Sequence, residues 1–295
     1  MNIEAPINVL VRRRAAIGDV IMSTGVVREL KQRYGTDANI DVVTEKLEVW
    51  RNNPHIRNMY HTGEPPDANN YDVYINLDDA YEKNPLNHFI DSMFYRAFGA
   101  NNLDKSVEIF PTEEDCQIVD QDLKEIGDRF IVVHMRNWHY AQKNITTDVW
   151  FDVYAKLFEQ RTDFKILCTG GPTDLVVDHP LFVDIRTKYT DQQLKYLFDR
   201  SLAFVGIDSG PYWVAAASST HIVALLTNIP VNSILPYRNM QLGYNCTAIT
   251  TLEECGGCYN EQARPVNVWT CKKNTTPCNN NFNTDEIANA ILKQL

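Results

Sequence analysis

Residues 202–226 read LAFVGIDSGPYWVAAASSTHIVALL. The run 202–207 is short, apolar and closed by a turn, which is the pattern of a buried strand. Asp208, Ser209, Gly210 and Pro211 follow. Asp or Ser can cap a helix and Pro is tolerated in its first turn, so a helix is expected over 212–218. Its alanines allow close packing on a sheet, and 221–226 is a second buried strand. The turn therefore sits at the carboxyl end of a strand and the amino end of a helix. Free N–H groups and the helix dipole make such a turn an anion site. An ordinary capped turn has the same local sequence, so the rest of the chain must separate the two readings.

Outward from this unit the same alternation repeats. Toward the amino side of the same half, strands are expected at 129–135 and 164–169 and helices at 150–158 and 190–199. The first half starts with a strand at 7–11 and a helix running to Tyr34, where Gly35 stops it. On that helix Val20, Val27, Leu30 and Tyr34 share an apolar face, and Thr24, Arg28 and Gln32 a polar one. Strands at 40–44 and 71–77, a short strand after 54–58, a short helix at 45–52, a helix at 87–98 and a strand at 107–110 follow. Thr112, with Glu113, Glu114 and Asp115 behind it, opens another helix. Strands alternating with helices predict parallel α/β architecture. The pattern restarts near Gly127, giving residues 1–127 and 128–283 as two halves with a ligand cleft between them. A last helix, 284–295, could pack on either half, including back on the first.

The chain has 295 residues, 44% of them hydrophobic, and a formal charge of −10. The acidic balance argues against a nucleic-acid surface. The opening MNIEAPINVL lacks the pattern of a signal peptide, and no apolar run reaches the roughly 20 residues of a membrane span, so a cytoplasmic protein is expected. No GxxxxGK[ST], GxGxxG, GxSxG or HExxH occurs, which removes the P-loop, the usual dinucleotide fingerprint, the hydrolase elbow and the zincin helix. Three clusters remain. Gly18 and Asp19 open the first helix, where Asp19 is either a plain cap or a group at the cleft. His134, Met135, Arg136 and Asn137 follow a strand, with Lys143 nearby. Gly170, Gly171, Pro172, Thr173 and Asp174 form a glycine turn after another strand.

Together these segments resemble glycosyltransferase family 9, the ADP-heptose:lipopolysaccharide heptosyltransferases. The resemblance spans residues 7–295. It rests on IGDVIMSTGVVRELKQRYG (17–35) with IDVVT (40–44), KNITTDVWFDVYAKL (143–157), TGGPTD (169–174) and VGIDSGPYWVAAA (205–217), in that order. It implies the GT-B fold, two Rossmann-like α/β domains facing a cleft, with the first binding acceptor and the second binding nucleotide sugar. It implies that Asp19 is the general base and that Lys143, seven residues before Trp150, meets the donor diphosphate. Asp174 would bind the ribose, Tyr189 would border the base, and Asp208, Ser209 and Gly210 would hold sugar and diphosphate. Trp213 stands where the family usually has His, and the loop before Lys143 lacks the usual pair of hydroxyl residues. Gly18, Arg136, Gly171 and Trp213 complete the expected donor site, and Arg14, Glu82 and His88 the acceptor site.

The implied reaction needs a base for the acceptor hydroxyl, positive charge for the leaving diphosphate, and substrates held in line. Direct displacement would invert the anomeric centre. No DxD motif follows a strand, so metal-independent transfer with no cofactor is expected, from an ADP-sugar by resemblance or a UDP-sugar. The acceptor would be a glycan or glycolipid, as in lipopolysaccharide biosynthesis, which would bring the protein to the inner membrane face. Clustered Arg12, Arg13 and Arg14 keep open a rival acceptor, a hydroxylated base in DNA. A sugar-nucleotide epimerase or a non-catalytic nucleotide-sugar binder of the same fold are further rivals. Cys255, Cys258, Cys271 and Cys278 have spacing that a structural zinc site could use, the alternative being unligated thiols.

Overall fold

The computed structural model describes residues 6–84, 86–100, 102–137, 141–261, 271, 273 and 275–295. The first half contains β1 (Asn8–Arg12), α1 (Ile17–Tyr34), β2 (Asn39–Thr44), β3 (Asn58–His61), β4 (Val73–Asn76), α2 (Phe89–Phe98) and α3 (Glu113–Ile126). Its four strands are parallel in the order β3-β2-β1-β4. β1 lies in the centre because Val9, Leu10 and Val11 are apolar on both faces and are fully buried.

The second half contains β5 (Phe130–His134), α4 (Thr147–Gln160), β6 (Lys165–Cys168), β7 (Phe182–Asp184), α5 (Asp191–Arg200), β8 (Ala203–Gly206), α6 (Gly210–Ala216) and β9 (His221–Leu226). A short helix α7 (Val231–Ile234), a hairpin of β10 (Tyr237–Arg238) and β11 (Gln241–Leu242), then β12 (Cys246–Thr250) and α8 (Thr284–Leu292) complete it. The six-stranded sheet is parallel, in the order β12-β9-β8-β5-β6-β7. The chain leaves β5 toward β6 on one side and returns to β8 on the other. That reversal opens a crevice at the carboxyl ends of β5 and β8.

Two local expectations change, and one open alternative resolves. Residues 107–110 form no strand, because the Glu108 N–H donates to Thr24 Oγ1 at 2.8 Å and not to a neighbouring strand. α1 has no polar face at Thr24 and Arg28. Both are buried, and Arg28 donates to the Ser106 and Asp104 carbonyls at 2.9 and 2.6 Å. Segment 104–108 lies so close across α1 that a Cβ on Gly25 would sit 2.7 Å from the Ser106 carbonyl oxygen. Finally, α8 docks on the second half and not the first. Its buried Ile287, Ala288, Ala290 and Ile291 share a core with Val149, Trp150 and Val153 of α4, and Lys156 pairs with Asp285 at 2.7 Å.

Candidate active site

The loop after β1 builds one wall. Arg13 turns inward and is buried. α1 starts behind Ala16, which has no side-chain acceptor for the first-turn N–H groups. Asp19 closes that end itself, its Oδ2 accepting the Ala16 N–H at 2.6 Å. Its Oδ1 accepts from the Tyr81 hydroxyl at 2.6 Å and pairs with Arg13 Nη2 at 2.9 Å. The same nitrogen lies 2.8 Å from Glu82 Oε1, and Arg13 Nη1 donates to the Leu77 carbonyl at 2.9 Å. Burial alone would lower the Arg13 pKa, but Asp19, Tyr81 and Glu82 outweigh it and the guanidinium stays charged. Burial, with Asp19 and Glu82 beside it, pushes the Tyr81 phenol well above its ordinary value, so Tyr81 acts here as a donor. So Asp19 both caps its helix and faces the cavity.

The loops after β5 and β8 build the opposite wall. Lys143 Nζ pairs with Asp208 Oδ2 at 2.5 Å, and Asp208 Oδ1 accepts from Trp213 Nε1 at 3.1 Å. Arg136 Nη1 donates to the Asp208 carbonyl at 3.2 Å. Ser209 caps α6 through the Tyr212 N–H. The two walls meet where α1 crosses α6. A Cβ on Gly18 would lie 2.5 Å from Trp213 Cδ1, so glycine is what lets the indole in. Trp213 thus packs under the start of α1 and holds Asp208.

Behind this wall His134 joins two loops. Its Nδ1 lies 2.9 Å from Ser209 Oγ and its Nε2 3.0 Å from Asp174 Oδ2. Burial lowers the His134 pKa, which favours the neutral ring. Asp174 also accepts the Asn137 N–H at 2.8 Å and the Gly171 N–H at 2.7 Å. Burial raises its pKa, but these bonds more than offset that and the carboxylate stays ionised. Asp174 is therefore the tie that shapes the glycine turn. Tyr189 donates to Asp122 of α3 at 2.7 Å, so its ring edges the cavity while its hydroxyl bridges the two halves.

Two connected cavities result. The smaller, about 200 Å³, is lined by Asp19, Tyr81, Phe89, Lys143, Asp208 and Tyr259, among others. The larger, about 520 Å³, runs from Arg136 and Ser209 past Gly171 and Asp174 to Ile185, Tyr189, Asp191 and Leu194. Gly18, Arg136, Ser209 and Gly210 line both. Tyr81 stacks on Phe89 at 4.1 Å and Tyr259 meets that ring edge-on at 5.7 Å. Nothing in the local sequence around Tyr259 marks it for this wall.

Several expected residues are elsewhere. Arg14 is exposed and lines neither cavity, its N–H donating to Asp78 Oδ1. Glu82 stands behind the wall on Arg13. His88 is buried away from both cavities. It accepts the Ile90 N–H on Nδ1 at 3.2 Å, capping α2, so Nε2–H donates to the Leu235 carbonyl at 2.8 Å. Arg12 pairs with Asp78 at 2.7 Å and Arg13 with two carboxylates, so two of the three clustered arginines present no free charge to DNA. Of the four late cysteines, Cys255, Cys258 and Cys271 all lie within electrostatic range of Cys278. Among the described residues no group of three or more His, Cys, Asp or Glu side chains is arranged to hold a metal. Burial, with the other three thiols nearby, pushes Cys278 up to about 12, and its thiol turns to Asn279 Oδ1. No helix among the described residues is long and apolar enough to cross a membrane.

No known family profile matches this sequence. No curated protein matches it either. Solved structures do. A glycosyltransferase family 9 protein from Veillonella parvula DSM 2008 superposes with a TM-score of 0.74 at 16% identity, over 100% of this chain and 98% of that one. The ADP-heptose LPS heptosyltransferase II of E. coli gives 0.66 at 15%, over 98% and 99%. The dodecameric iron-containing heptosyltransferase TibC in complex with ADP-D-beta-D-heptose gives 0.69 at 14%, over 99% and 78%. From end to end, the chain has the two-sheet fold of the family 9 glycosyltransferases.

Proposed function

We propose that the chain transfers a sugar from a nucleoside diphosphate donor to a hydroxyl of a glycan or glycolipid, with inversion. The observation that supports this is the position of Asp19 across one cavity from Lys143. The acceptor hydroxyl attacks the anomeric carbon and gives its proton to Asp19 as the bond to the diphosphate oxygen breaks. Tyr81 and Arg13 hold the carboxylate in place. Lys143, Arg136 and the amino end of α1 meet the negative charge that grows on the leaving diphosphate. Asp208 keeps Lys143 aimed into the cavity until the diphosphate competes for it. The ADP-heptose bound by TibC supports an ADP-linked donor, and a glycolipid acceptor would place the protein in the cytoplasm at the membrane face.

The test is sugar-nucleotide turnover by Asp19→Asn. Turnover should fall by about 10²- to 10⁴-fold, the usual worth of a positioned base, with donor affinity nearly unchanged. Persistent turnover would remove Asp19 from this role.

A further inference from the structure

The wall of the larger cavity includes a carboxyl group with one oxygen that has no hydrogen-bond partner among the described residues. Asp191 stands in the first turn of α5, and its Oδ2 is buried without a hydrogen-bond partner. Buried polar atoms are nearly always paired, so an orphaned one in a cavity wall calls for an explanation. The neighbouring Thr190 caps the helix through the Gln193 N–H, so Asp191 is not needed for that purpose. Lys46, from the loop after β2, lines the same cavity. Its ammonium makes no ion pair among the described residues, and it acts on Asp191 only through longer-range attraction. Burial, with Glu48 nearby, pushes the Asp191 pKa up to about 6, as expected of a carboxyl held out of water.

Resting on the donor reading above, the position of Asp191 in this cavity has a definite meaning. The diphosphate belongs where the two cavities join, at Arg136 and Ser209. The nucleoside must then extend along the larger cavity, which is lined further along by Ile185, Leu194 and Tyr189, apolar surface suited to a flat ring. Asp174, the other carboxylate of this cavity, already accepts from His134, Asn137 and Gly171. We infer that Asp191 reads the nucleobase, its carboxyl oxygen accepting from an exocyclic amino group while Lys46 donates to a ring nitrogen. Adenine and cytosine carry an amino group beside a ring acceptor. Uracil presents a single N–H between two carbonyl oxygens, which a carboxylate repels. A site built to bond an amine discriminates because the wrong base leaves its buried polar group unpaired.

The experiment is calorimetric titration of the full chain with ADP, CDP, UDP and inorganic pyrophosphate, repeated on Asp191→Leu and Asp191→Asn. The wild type should bind ADP or CDP at least about tenfold more tightly than UDP. Asp191→Leu should lose that preference while pyrophosphate affinity stays unchanged, which also reports an intact fold. Asp191→Asn, whose amide oxygen can still accept, should keep part of it and serves if the leucine variant does not fold. A preference for UDP, or a base preference that survives in Asp191→Leu, would overturn the inference and leave the donor reading standing. Failure of every nucleotide and of pyrophosphate to bind the wild type would overturn both.

Discussion

Arg13 Nη2 lies 2.9 Å from Asp19 Oδ1, and the same nitrogen lies 2.8 Å from Glu82 Oε1. One buried cation thus holds the cavity carboxylate and the carboxylate behind it in a single arrangement. Replacing it by Arg13→Met would leave two poorly hydrated carboxylates facing each other. Breaking a buried ion pair from one side costs about 3–5 kcal/mol. Chemical denaturation should show a loss of this order, and a loss below about 1 kcal/mol would mean that the pair is solvated and contributes little.

Gly18 and Trp213 predict a steric coupling. Gly18→Ala puts a methyl 2.5 Å from the indole and should destabilise by about 1–3 kcal/mol. Gly210→Ala meets only Ile17 Cγ2 at 3.4 Å and should be mild. In a double-mutant cycle, Trp213→Ala should absorb most of the Gly18→Ala cost. Additive effects measured by urea unfolding would contradict the packing.

Two groups, buried His88 and partly buried Asp191, give opposite pH dependences. Burial depresses the His88 pKa to about 4, so the fold favours the neutral ring. Its contribution is full above pH 6.5 and is lost as pH falls toward 4, by about 3 kcal/mol in total. Asp191 is raised to about 6, so the fold favours its protonated form, and stability is lost as pH rises through 6. Asp191→Asn should therefore be more stable than the wild type at pH 8, by up to about 3 kcal/mol, with the gain vanishing near pH 4. Unfolding midpoints measured across pH 4–8 check both, and a gain that is flat with pH would contradict the raised pKa of Asp191.

Much of this arrangement was legible in the sequence because it is local. The unit at 202–226 appears as β8, the Ser209 cap, α6 and β9, and Gly35 ends α1 with a φ of +91°. Lys143, Arg136, Asp208 and Ser209 follow strands whose carboxyl ends converge, so their grouping follows from α/β topology. What the sequence hid depends on distant partners. The run of three arginines reads as one basic patch until Asp78, Asp19 and Glu82 are folded against it. His88 reads as a residue at the cleft mouth, whereas the Leu235 carbonyl, 147 positions away, makes it a buried clasp. Residues 107–110 alternate as a strand would, but Thr24 takes the hydrogen bond that a ladder needs. Tyr259 and Asp191 reach the cavities through long-range packing that no periodicity records.

On the proposed function, Lys143, across the cavity from Asp19, receives a nucleoside diphosphate. The most direct measurement is calorimetric titration of ADP into the wild type, Lys143→Ala and Asp19→Asn. Saturable binding by the wild type, at least about tenfold weaker binding by Lys143→Ala, a loss of about 1.4 kcal/mol, and near-wild-type binding by Asp19→Asn is the predicted result. Equal affinity in the wild type and Lys143→Ala, or no binding by either, would contradict it.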